Sequence, residues 1–223
     1  MLNLDDTIRA PRHLPRLAKR LHWRVDELAK GLSATGFPAD QADVDRVHAF
    51  RLLAHAEIQN YLEDVAERIL AVSAETLNVR GLVTHAAHHL MVFRSILPLA
   101  NPSSAAQASY PAFATSSVRS LSSSDLGAAI RAHRKLIERN SGLKASNIRT
   151  ILGPLGYRDS WFPPGFLDQM DLFGIDRGHV AHGSGLVGAT YWPSGSSERA
   201  RLALLRNGLE AVDAYSARLL MPV

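Results

Sequence analysis

Apolar side chains recur with the period of an α-helix along nearly the whole chain, and strand-like alternation is almost absent. Leu14, Leu17, Leu21 and Leu28 fall on one face and predict a first helix from about Leu14 to Leu32, ending before the Ser33-Ala34-Thr35-Gly36-Phe37-Pro38 turn. From about Gln41 to Ala74 there is neither proline nor glycine. Val44, Val47, Phe50, Leu53, Ile58, Tyr61, Leu62, Val65, Ile69 and Val72 make a stripe there that has to be buried. This stretch predicts the longest helix and the centre of a bundle.

A third helix reads from about Gly81 to Leu97 and stops before Pro98. Asn101 to Ser124 then becomes rich in serine, alanine and proline, with Tyr110, Phe113 and Val118 as its main bulky residues, and reads as a long surface excursion. Ser124 or Asp125 caps a helix to about Asn140, Asn140-Ser141-Gly142 turns the chain, and a short helix spans about Ser146 to Leu152. Trp161-Phe162-Pro163-Pro164-Gly165 leads into a helix from about Phe166 to His182. After a loop from Ser184 to Ser194, anchored by Tyr191 and Trp192, the last helix starts near Ser196 and carries Leu202, Leu205, Leu209, Val212, Leu219 and Leu220. No internal repeat is visible. The fold class implied is all-α, a single domain over residues 1–223 built as an irregular bundle of about six to seven helices around a long central one. Residues 1–36 form a basic N-terminal helical extension to it.

Composition agrees with this picture. A chain of 223 residues with 46% hydrophobic and 21% charged content is long enough for one well-buried domain. It has no cysteine, so neither disulfides nor a thiolate zinc site stabilise it. The start, MLNLDDTIRAPRHLPRL, lacks the apolar core of a secretory signal, and no stretch reaches the roughly 18 apolar residues of a membrane span. The expectation is a soluble, cytoplasmic protein without a membrane partner.

A net charge of +4 and an isoelectric point near 9.7 lean toward anionic partners. The excess is local: Arg9, Arg12, Arg16, Lys19, Arg20 and Arg24 occur with no acid between Thr7 and Val25. Arg16, Lys19, Arg20 and Arg24 are therefore candidates to lie along the phosphates of RNA. The plainer reading is the solvated face of a helix whose leucines turn inward.

The densest chemistry lies in Asp176-Arg177-Gly178-His179-Val180-Ala181-His182-Gly183, where a guanidinium and two imidazoles fall within six residues. A permanent cation can hold a developing negative charge, and a histidine can pass protons near neutral pH, which together suit phosphodiester chemistry. Five positions on a continuous helix rotate His182 by about 140° from Arg177. The two would share a cleft only if the helix breaks near Gly174, Gly178 or Gly183, or if a second subunit contributes. The plainer reading is an ordinary helix end, with basic groups against the C-terminal dipole and Gly183 as a left-handed cap.

Other groups add less. His85, His88 and His89 have helical spacing, yet no carboxylate or cysteine stands at matching spacing, so no metal and no cofactor is expected. Glu57, Glu63, Asp64 and Glu67 line the polar side of the long helix, and Glu57, beside His55 and the buried stripe, is the carboxylate placed to orient an active-site group. There is no glycine-rich phosphate loop, dinucleotide fingerprint or serine-hydrolase elbow, which disfavours the commonest nucleotide enzymes.

Arg177 to Gly183, at the end of an apolar helix in an all-helical chain, resembles the signature of the HEPN superfamily, an arginine followed after four to six residues by a histidine. Arg139 to Arg149 through Leu155-Gly156, His55 to Glu63, and Phe173 to Arg177 are similar to the subgroup called RiboL-PSP-HEPN, and in order these patterns span roughly residues 45 to 220. Many members carry a polar residue, often asparagine, directly after the arginine; here that place is Gly178. The resemblance implies a metal-independent endoribonuclease that works as a homodimer with a composite cleft. In such an enzyme a ribose 2′-hydroxyl attacks the adjacent phosphorus and leaves a 2′,3′-cyclic phosphate. His182 would act as general base or acid, Arg177 would hold the scissile phosphate, His179 would assist and Glu57 would orient. It also implies a role in toxin–antitoxin or anti-phage defence, with a neutralising antitoxin or regulatory protein as partner.

Two rival classes stay open beside it. One is a non-catalytic helical module that binds RNA or protein through the basic first helix and the Asn101 to Ser124 excursion. The other is a metal-dependent hydrolase built on the third-helix histidines.

Overall fold

The computed structural model describes residues 14–34, 36, 38, 40–96, 122–182 and 194–223, and the side chains of 14–16, 95, 96 and 182 lie outside that description. Seven α-helices make up most of it: α1 (Leu14–Ala29), α2 (Gln41–Arg80), α3 (His85–Ile96), α4 (Ser123–Glu138), α5 (Ala145–Leu152), α6 (Phe166–His182) and α7 (Gly195–Leu219). Two 3-10 turns, Gly153–Leu155 and Asp159–Trp161, connect α5 to α6. Among the described residues there is no strand, only an isolated bridge from Thr84 to Pro222. The architecture is the all-α bundle that the periodicity predicts.

The central helix α2 has 40 residues, which at 1.5 Å per residue is about 60 Å. The Asp40 side chain caps its start by accepting from the Asp43 N–H at 2.9 Å. The helix runs past Ala74 to Arg80, because nothing in Glu75 to Arg80 forbids it; Gly81 ends it in the left-handed region at φ 65° and donates to Leu77 and Thr76. With Gly81 used as that cap, the third helix starts at His85 instead, where the Thr84 hydroxyl accepts from the Ala87 N–H at 3.1 Å. Ser122, not Ser124 or Asp125, caps α4, since its hydroxyl is the one that reaches the Asp125 N–H.

Ala54, Ile58, Leu62, Val65, Ala66 and Ile69 of α2 are fully removed from water, and the other helices pack around them. Leu53, expected in the buried stripe, is 51% exposed. Its place inside is taken by Arg51 and His55, both 3% exposed, because the face set by Phe50, Ala54 and Ile58 passes through those positions. The first helix is a wall of the bundle, turning Ala18, Leu21, Val25 and Ala29 against α2 and α7. Of the Asn101 to Ser124 excursion, residues up to 121 lie outside the described residues, as do Arg9, Arg12 and the Ser184 to Pro193 loop.

Phe166, Met170 and Phe173 put one face of α6 into the core, each contributing about 1.5–3 kcal/mol through burial. The Phe166 ring lies directly on Gly208 of α7, where any Cβ would collide with it. Among the described residues no helix is long and apolar enough to cross a membrane.

Candidate active site

The buried face of α6 continues by helical spacing from Phe166, Met170 and Phe173 to Arg177, so the arginine is delivered to the edge of the core, partly buried, on the side that packs against α2. The α2 side chain whose pKa its charge lowers is His55. The His55 ring lies 6.0 Å from that of Phe173, and burial, followed by the nearby Arg177 charge, pushes its pKa down to about 4. His55 is therefore neutral at pH 7, a ring that can donate or accept a hydrogen bond while adding no charge.

Immediately before Arg177, Asp176 belongs to a balanced set of four charges drawn from three helices. Arg51 of α2 donates from Nε and Nη2 to Glu198 Oε1 of α7 at 3.0 and 2.6 Å. Arg201 of α7 meets Asp176 Oδ2 at 2.8 Å and Glu198 Oε2 at 3.4 Å, and Arg51 Nη2 lies 3.7 Å from Asp176 Oδ2. The Arg201 guanidinium also sits 5.8 Å from the centre of the Phe173 ring. Two cations and two anions cancel, and the nearest carboxylate in sequence is spent before it can pair with Arg177. Among the described residues, Arg177 makes no ion pair with any carboxylate.

The helix carrying this arginine is continuous to His182. Gly174 and Gly178 do not break it, so the backbone positions of Arg177 and His182 stay about 140° apart around the axis. The His182 side chain and Gly183 lie outside the described residues. His179 is exposed and, two positions after Arg177, lies on roughly the opposite face. A Cβ at Gly178 would meet nothing within 4 Å.

Glu57 is engaged elsewhere. It stands two positions from His55, about 200° around α2, and accepts from Arg24 Nε and Nη2 of α1 at 3.0 and 2.6 Å. That pair also occupies Arg24, one of the four basic residues of the first helix considered for RNA. Lys19 and Arg20 are exposed, and the Arg16 side chain lies outside the described residues. On the far side of α2, the connection between α4 and α5 is held by a polar network. Asn140 Nδ2 donates to Glu63 at 2.8 Å, Gln59 Nε2 to the Asn140 carbonyl at 3.3 Å, and Asn147 Nδ2 to Asn140 Oδ1 at 3.0 Å. The Ala145 N–H donates to Asp171 of α6 at 2.7 Å. The stretches His55 to Glu63, Arg139 to Arg149 and Phe173 to Arg177 thus meet in space although they are far apart in sequence.

His85 is exposed, His88 is buried and His89 is partly buried, with the last two rings 6.0 Å apart. Burial, and then the neighbouring His88, Arg158 and His85, push the His89 pKa down to about 4. Among the described residues no group of three histidine or carboxylate side chains is placed to hold a metal ion.

Sequence reasoning missed Arg51, Glu198 and Arg201. Arg51 was detectable, since a charged residue one position from Phe50 on a buried stripe requires a buried partner. Glu198 and Arg201, in the first turns of α7, carry no such local signal. Comparison of the chain with protein-family models, with curated proteins and with solved structures returns no match.

Proposed function

We propose that the protein is a metal-independent endoribonuclease of the HEPN type, acting as a homodimer in the cytoplasm in a toxin–antitoxin or anti-phage role, with an antitoxin or regulatory protein as its partner. The observation that carries this reading is the charge state of Arg177: a cation without a carboxylate partner among the described residues, beside a neutral imidazole, next to an aspartate already neutralised by Arg51 and Arg201. Such a guanidinium is preorganised for an anion and loses no internal ion pair when one arrives. The meeting of the three resembling stretches around α2 is further support.

In the proposed reaction His182 removes the proton of a ribose 2′-hydroxyl, whose oxygen bonds to the adjacent phosphorus. The bond from phosphorus to the 5′-oxygen breaks, and that oxygen leaves as a hydroxyl after receiving a proton from a second histidine. Arg177 holds the phosphate oxygens as their charge grows. Because the helix is continuous and separates Arg177 from His182 by about 140°, the second set of groups comes from a partner protomer facing the first. The glycine after the arginine favours the second reading, a non-catalytic RNA- or protein-binding module of the same fold.

The deciding assay is cleavage of single-stranded RNA in EDTA. Wild-type protein should give products ending in 2′,3′-cyclic phosphate, and Arg177→Ala and His182→Ala proteins that remain folded should lose about 100-fold or more of the rate. RNA binding without product would establish the module instead, and activity abolished by chelator would exclude both.

A further inference from the structure

Trp23 of α1 is 58% exposed, and among the described residues no other Trp, Tyr or Phe ring is so open to water. Its helical neighbours at the surface are Lys19 four positions before and Arg20 three before, both exposed and neither paired with a carboxylate among the described residues. The acids nearby are already neutralised, Asp26 by Arg206 of α7 and Glu27 by Lys30 at 2.5 Å. What remains is an indole beside two free cations, with no apolar neighbour on its own stretch of helix from Lys19 to Glu27 that is exposed.

That surround argues against a protein or lipid surface, either of which would need a contiguous apolar patch. It suits single-stranded nucleic acid, whose bases offer flat faces to an aromatic ring and whose phosphates offer charge to flanking lysine and arginine. Arg24, the residue after Trp23, holds Glu57, and Glu57 is two positions from His55, whose pKa the Arg177 charge helps to lower. Trp23 therefore lies at the same level along α2 as Arg177, with α1 and α6 on different sides of the central helix.

We propose that Lys19, Arg20 and Trp23 form a stacking platform for single-stranded RNA, with the indole under a base and the two cations on flanking phosphates. The choice of RNA rests on the ribonuclease reading; the platform itself rests on the exposed ring and its charges.

The test uses a fluorescein-labelled 2′-O-methyl oligouridylate, which cannot be cut by 2′-hydroxyl attack, and reads binding to the full chain by anisotropy across a salt series. Trp23→Ala should weaken binding roughly ten-fold, Trp23→Phe should keep most of the affinity, and Lys19→Ala with Arg20→Ala should weaken it while flattening the salt dependence. Trp23 is exposed, so circular dichroism should show all of these proteins folded. Wild-type protein that binds no oligonucleotide overturns the proposal. So does Trp23→Ala that binds as wild type, or that alters self-association in sedimentation while leaving RNA affinity unchanged. Cleavage of ordinary RNA is measured in parallel. Trp23-dependent binding without cleavage retires the nuclease and keeps the platform, whereas cleavage with binding indifferent to Trp23 does the reverse.

Discussion

Arg51 and Glu198 are 147 positions apart in sequence and joined through two donor nitrogens, at 3.0 and 2.6 Å, with both side chains almost wholly removed from water. This contact fastens the start of α7 to the N-terminal third of α2, and through Asp176 it also reaches α6. Charges withdrawn from water cost several kcal/mol each unless geometry returns it, and here each carboxylate meets two guanidinium groups. The consequence for the site is electrostatic. Asp176 lies beside Arg177 in the chain but, about 100° away around the helix, directs its charge to Arg51 and Arg201.

Removing one member of that set should cost more than removing two. Glu198→Gln removes the carboxylate charge that Arg51 and Arg201 share and should lower the unfolding free energy by about 3–5 kcal/mol. Arg51→Met combined with Glu198→Leu removes both charges, leaves Asp176 with Arg201, and should recover most of the loss. Urea unfolding of Glu198→Gln, Arg51→Met, the double variant and the wild type checks this; a double variant as unstable as the sum of the two single ones would show that the pair itself, not the unmatched charge, carries the stability.

Two titratable groups at least partly withdrawn from water, His55 and Asp213, should give stability slopes of opposite sign in mild acid. The folded-state pKa of His55, about 4, lies below the ordinary value of 6.5, so the unfolded chain binds more protons between those values and stability falls as pH drops through that window. Asp213 behaves the other way. Burial pushes it up to about 6 from 3.8, although it accepts from the Tyr61 hydroxyl at 2.5 Å, so the folded chain binds more protons and stability falls as pH rises from about 4 to 6. Asp213→Asn should therefore be more stable than wild type at pH 8, with the advantage shrinking toward pH 4. His55→Leu should flatten the loss on acidification, each group accounting for at most about 1.4 kcal/mol per pH unit. Denaturant midpoints measured from about pH 4 to 8 decide both signs, and parallel curves for wild type and variants would refute the assignment.

Local pattern made some of this legible and long-range geometry hid the rest. The period of α2 and the stop signals around α6 depend on neighbours within a few turns, so those helices could be read from the chain itself. The rotation between Arg177 and His182 was legible too, because it follows from a count of five and a helix that stays whole. Leu53 was misplaced because a leucine fits a stripe by type, while the turn of the helix gave the inward position to His55. Glu57 looked like the carboxylate for the site because it is near His55 in sequence; two positions on a helix turn it away, toward Arg24. Nothing local to Glu198 distinguishes it from the solvated acids usual in a first helical turn, since its partners stand on α2 and within α7.

Two glycines in neighbouring helices should respond oppositely to the same change. Gly208 lies under the Phe166 ring, and Gly208→Ala would drive a methyl into a packed aromatic, costing about 1–3 kcal/mol in spite of better helix propensity. Gly178 has open space where a Cβ would go, so Gly178→Ala should stabilise by about 0.5–1 kcal/mol by removing the entropic cost of glycine inside a helix. The same open space admits a longer polar side chain beside Arg177. Gly178→Asn recreates the pattern common in the HEPN family and should change stability by only a few tenths of a kcal/mol, since asparagine is a slightly better helix former than glycine. If Arg177 holds a scissile phosphate, an added amide next to it supplies one more donor, and RNA cleavage should rise while the melting temperature stays level. Cleavage that falls in Gly178→Asn with the fold intact would mean that the space at this position is itself needed, for close approach of the sugar-phosphate chain to α6.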